Sequence, residues 1–169
     1  MDRQRKPNRL YEYDYSSDGL YFVTSCVHDK VCCFGEIIDE DMHLNECGKI
    51  AEEKWLWLGK QYPYIFLHSF VIMPNHMHGI IEIDKHYKPE LLEQMIVGTD
   101  HDLSLQRDLS LDVQGKPIKI KSLSELMGAY KTTSSKKIHL TGYNDFFWHR
   151  SFHDHIIRDA KSLENITII

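Results

Sequence analysis

Hydrophobic and polar positions along this chain alternate between a strand rhythm and a helix rhythm. Leu20–Val27 is an unbroken run of β-favouring residues and predicts a first strand, central in its sheet. Phe34–Asp39 and Met42–Leu44, parted by acidic turn residues, predict a small peripheral hairpin. Asn45 is placed to cap a helix whose apolar positions Cys47, Ile50, Ala51, Trp55 and Leu58 recur at helical spacing up to Gly59. The Tyr62, Pro63, Tyr64 group breaks that pattern. Ile65–Met73 then predicts a second long strand, and a return strand opens at His76 across the turn made by Pro74 and Asn75.

Ser122 and Glu125 form a capping-box pattern ahead of a helix reaching about Ile138, with Leu123, Leu126, Met127, Tyr130 and Ser134 on one face and Lys131 and Lys137 off it. An aromatic segment, Phe146–Phe152, leads to a strand-like piece at His155–Arg158. Asp159 is positioned to cap a last helix containing Leu163 and Ile166. Strand, helix, strand, strand, helix, strand is the order of the ferredoxin-like split βαβ arrangement. That is an α+β fold, with an antiparallel sheet covered by helices on one face and the other face left for function. RNA-recognition modules share this layout, so the layout alone does not name an activity.

The 169 residues, 42% of them hydrophobic, are read as one domain over 1–169. The stretch 85–118 differs: it is charged and polar, repeats Asp-Leu-Ser-Leu at Asp102 and Asp108, and is expected to be a mobile insertion. No run approaches the roughly 18 apolar residues of a membrane span, and the basic start lacks the apolar centre of a signal peptide, so a cytoplasmic protein is expected. The four cysteines, Cys26, Cys32, Cys33 and Cys47, lack zinc-ribbon spacing and read as reduced thiols.

A net charge of -5 excludes coating of nucleic acid by bulk electrostatics; any such contact must be local. Basic residues do cluster, at Arg3, Arg5, Lys6 and Arg9, at Lys131, Lys136 and Lys137, and at Arg150, Arg158 and Lys161. Taken one at a time, such clusters are more often solvated faces than sites.

Candidate chemistry sits in Phe70–Ile83, where apolar runs flank the turn and a His-x-His pair. Positions i and i+2 of a strand share a face, about 6 to 7 Å apart at the Cα, so His76 and His78 can converge on one ion. Met77, Gly79, Ile81 and Ile83 then point to the opposite, apolar face, and Glu82 follows the histidines. For an isolated pair, ordinary strand histidines would be the better reading.

The surrounding segments change that reading. Residues 20–26, 33–37, 45–50, 71–81, 127–131 and 147–158, in that order, resemble the REP-associated tyrosine transposases, single-tyrosine members of the HUH nuclease class. The resemblance covers about Arg9–Ile83 and Ser122–Ile169. It implies a homodimer that binds single-stranded or hairpin DNA, with a divalent ion, Mg²⁺ or Mn²⁺, held by His76 and His78 at the scissile phosphate, which a tyrosine on the last helix attacks. Lys131, Arg150 and Arg158 are expected to contact DNA phosphates from the histidine face. Counting from Arg158, the family's tyrosine position falls on Ile169, and an Asn or Gln one turn further would be the third metal ligand. Both are therefore expected to be missing, and Tyr130 and Tyr143 are weak substitutes. An endonuclease inactive as given, or a DNA-binding module derived from a transposase, are the two expectations.

Overall fold

The computed structural model describes Leu10, residues 12–86 and residues 119–166, of Asn165 the backbone alone. Residues 87–118 of the expected insertion, the basic start and Ile169 lie outside the described residues.

Strands β1 (Gly19–Cys26), β4 (Ile65–Met73), β5 (His76–Ile83) and β6 (His153–Ile157) form one sheet in the order β4-β5-β1-β6. Every neighbouring pair is antiparallel. This is the expected α+β, ferredoxin-like arrangement, and β1 is interior as its apolar run predicts. Strands β2 (Gly35–Ile38) and β3 (Asp41–Leu44) pair separately as the peripheral hairpin. Asp39 and Glu40, at its tip, both have positive φ, as a tight right-twisting hairpin turn demands.

Helix α1 (Glu46–Gln61) starts where Asn45 Oδ1 accepts the Gly48 N–H at 3.0 Å, and it buries Cys47, Ile50, Ala51, Trp55 and Leu58. Helix α2 (Leu123–Leu140) starts at the Ser122 capping box and buries Leu123, Leu126, Met127, Tyr130, Ser134 and Ile138. Both stripes lie against one face of the sheet, the face bearing Tyr21, Val23, Met77, Ile81 and Ile83, all at most 1% exposed. Trp55 fills the centre, packed edge-on to Tyr130 and directly over Gly79, where a Cβ would overlap its indole. Lys137 of α2 reaches Glu53 of α1, which ties the two helices at their solvent side.

The last strand begins two residues earlier than its sequence signal, at His153 rather than His155. The apolar signal marks only the half of β6 that holds Ile156 and Ile157; pairing with Thr24 extends it backward. Helix α3 (Ala160–Ile166) follows, with Asp159 Oδ1 accepting the Ser162 N–H at 2.7 Å. All four cysteines are free thiols.

Candidate functional site

The face of the sheet away from α1 and α2 carries the candidate side chains. Cross-strand partners share a face, and the register aligns His76 with Cys26 and Met73, His78 with Thr24 and Val71, and Ile80 with Phe22. His76 and His78 are half-buried at the start of β5, with ring centroids 4.6 Å apart in an edge-on arrangement.

Each ring is held by its Nδ1. His76 Nδ1 lies 2.7 Å from Asn75 Oδ1, a carbonyl oxygen that only accepts, so His76 carries its proton on Nδ1 and leaves the Nε2 lone pair outward. Asn75 is fixed in turn, because its Nδ2 donates to the Lys30 carbonyl at 3.2 Å. His78 Nδ1 lies 2.7 Å from Thr24 Oγ1, and its ring stacks on Phe22 at 5.4 Å with 16° between planes. A hydroxyl accepts as readily as it donates, so Thr24 is compatible with the same tautomer. Burial pushes both imidazoles below the ordinary histidine value, with His76 adding to the effect on His78. The pair is thus neutral near pH 7, which is the ligand form.

These residues fit a divalent ion: two neutral imidazoles of fixed orientation, each braced from behind, is the donor arrangement of a histidine metal site with open positions. Among the described residues no group of three or more His, Cys, Asp or Glu gathers to complete a set. Glu82, on the same face, stands four residues beyond His78, about 13 Å along the strand, and its carboxylate pairs with His68 at 2.7 Å.

Among about 160 aligned residues, 36% are identical between this chain and an uncharacterized protein of Haemophilus influenzae (strain ATCC 51907 / DSM 11121 / KW20 / Rd), over 94% of this chain and 81% of that protein. The chain belongs to that protein's family. No family model matches it. Among solved structures, a REP-associated tyrosine transposase bound to a REP hairpin aligns over 98% of this chain and 67% of its own length, with a TM-score of 0.50 and 14% identity. At that identity the likeness is one of fold: this member of the Haemophilus family has a transposase-like fold.

The basic residues expected at the site divide. Lys131 and Arg150 line an open groove between α2 and the segment 144–150, together with Lys136, His139 and His149 and no carboxylate. Lys131 does not project freely: its Nζ donates to the carbonyls of His149 and Ser151, each at 2.9 Å, and lies 5.7 Å from the centre of the Phe152 ring. Burial lowers it to about 8. Arg158 is exposed just past β6 and does not line that groove. Tyr130 is fully buried, its hydroxyl without a partner among the described residues, and burial drives its ionisation well above the ordinary tyrosine value. Tyr143 is exposed in the turn after α2.

Thr24, Asn75 and Phe22 carry no signal of their own in the sequence. Asn75 reads as a turn residue, and the link from Thr24 to His78 depends on strand register. A second pair, His153 and His155, has the same i, i+2 spacing as the first; its place on this face follows from the alignment of Thr24 with His153 and Phe22 with His155.

Proposed function

We propose that this chain is the metal-holding, DNA-binding domain of an HUH-type transposase, acting on single-stranded or hairpin DNA. The observation that carries the reading is the imidazole pair: two neutral rings side by side on the open face of a transposase-like sheet, each with Nδ1 tied back and Nε2 free. Mg²⁺ or Mn²⁺ bound there would supply Lewis-acid charge at a phosphate oxygen. The protein's own part is positional. Asn75 and Thr24 hold the rings, while Phe22, Val71 and Met73 make an apolar surround that strengthens electrostatic contacts at the phosphate. Lys131, with one ammonium N–H left after its two carbonyl bonds, and Arg150 meet backbone phosphates along their groove; Arg158 does so near β6. The hairpin bound to the structurally similar transposase supports the choice of ligand.

The family's tyrosine position falls at the end of the last helix on Ile169, which lies outside the described residues and whose side chain is no nucleophile; Tyr130 is sealed in the core. A homodimer goes with the family resemblance, and sedimentation reads it directly.

Mn²⁺ titration followed by electron paramagnetic resonance tests the metal reading. Wild type is expected to bind one ion and the His76→Ala, His78→Ala double variant none; equal binding sinks it. Incubation with hairpin DNA and Mn²⁺ separates the two DNA readings. A covalent adduct on a denaturing gel identifies a nuclease, and salt-sensitive binding without an adduct identifies a binding module.

A further inference from the structure

The open face carries two imidazole pairs, not one. His153 and His155 stand on β6, on the other side of β1 from His76 and His78. One cross-strand row reads His78, Thr24, His153, and the next Ile80, Phe22, His155. Both β6 histidines are exposed, and neither side chain has a hydrogen-bond, ion-pair or ring partner among the described residues. Asp154, between them, belongs to the alternate set facing the helices, with Oδ1 buried, so no carboxylate of β6 neutralises the face.

We propose that His153 and His155 form a second phosphate-binding station for the DNA strand whose reacting phosphate lies at His76 and His78, with Phe22 as the apolar platform between the two. The proposal rests on the DNA reading above. Two strand spacings separate the pairs, about 9 to 10 Å. That is too far for the roughly 3.5 to 4 Å of a two-metal clamp, so the β6 pair does not share an ion with the first. It is the scale of a nucleotide step or two along an extended single strand. Histidines at i and i+2 can each direct a ring N–H at one oxygen of a phosphate lying between them. Phe22, stacked on His78 and half-buried, keeps an accessible part of the kind of aromatic surface on which single-stranded bases rest whatever their sequence. A strand laid along these rows crosses the sheet from β5 to β6.

The test uses fluorescein-labelled dT12 and anisotropy in EDTA, so that no metal contributes, beside Mn²⁺ binding by electron paramagnetic resonance. The His153→Ala, His155→Ala variant is expected to lose tenfold or more in affinity for dT12 and to bind Mn²⁺ as wild type does. A His153→Gln, His155→Gln variant, which keeps N–H donors at both positions, recovers part of the loss. Ring resonances of His153 and His155 are expected to shift on titration with dT4. If wild type binds dT12 and the alanine variant matches it within twofold, or those resonances stay still, the second station does not exist. If wild type binds neither dT12 nor hairpin DNA, the DNA reading fails, and this inference with it.

Discussion

Replacing Gly79 with alanine places one methyl group at the junction of core and site. A Cβ there lies 3.0 Å from Cε2 and Cη2 of the Trp55 indole and closer still to Cζ2. Trp55 is fully buried and cannot swing aside, with Tyr130 at 5.5 Å and Phe70 at 6.3 Å between ring centres. Overpacking of this kind costs about 1–3 kcal/mol, against which alanine regains about 0.5–1 kcal/mol of backbone entropy lost by glycine in a strand. The net expectation is a destabilisation of about 1–2 kcal/mol, or a melting temperature lower by about 3–8 °C for a chain of this size. Strand β5 must move away from α1 to relieve the overlap, and His78 is the adjacent residue, so Mn²⁺ affinity should fall as well. Urea denaturation of Gly79→Ala, Trp55→Phe and the double variant forms the cycle. The smaller phenyl ring should absorb the methyl group, leaving a coupling of about 1 kcal/mol. A Gly79→Ala protein as stable as wild type, or a penalty unchanged by Trp55→Phe, would refute the close approach as the reason for glycine here.

Thr24→Val removes the brace behind His78 and is expected to weaken Mn²⁺ binding about tenfold, while Thr24→Ser leaves it near wild type, as titration would read. Ser134→Ala strips the acceptor from the buried Trp148 Nε1–H, which donates to Ser134 Oγ at 2.9 Å, and should cost about 1–3 kcal/mol in urea denaturation; adding Trp148→Phe should return part of it. Hydrogen bonds from Lys137 and Lys54 hold the Glu53 carboxyl below its ordinary value, so its stabilisation is present above the normal carboxylate range and lost as pH falls through the lowered value. Glu53 is half-exposed and screened, so Glu53→Gln should lower stability by no more than about 1 kcal/mol at pH 7 and low salt, a gap that closes in melts taken toward pH 3. A gap independent of pH would mean the carboxylate charge is not its source.

Local physics made much of this architecture legible. Asn45 and Ser122 announce their helices because a cap is a contact between residues three apart, and the buried stripes of α1 and α2 show in the spacing of their apolar residues. The histidine pair was legible because a strand's period sets both rings on one side. Register is different, since it depends on residues far apart in sequence. The brace of Thr24 on His78 links positions 54 residues apart, and the bonds from Lys131 to His149 and Ser151 depend on how an aromatic loop packs against α2. Solvent-facing charge on a helical wheel could place Lys131 off the core, but not against two carbonyls. The β6 histidines carry no signal of this kind, because their spacing acquires meaning only once β1 is known to stand between them and β5.

The position of β6 also sets an order of events. It pairs with β1 across about 130 residues of chain, whereas β4 and β5 meet through a two-residue turn. Contacts so far apart are formed late, after the closer hairpin has collapsed, and lower the folding rate more than the stability. The length between β5 and α2 weighs little in that account, because closure cost grows only logarithmically, by about 0.6 kcal/mol for each doubling. During synthesis, then, β1 has one bonded side and one bare edge until residue 153 emerges. A nascent chain in that interval presents unpaired backbone donors and acceptors along Leu20–Thr24, the kind of edge that recruits either chaperones or a neighbouring copy.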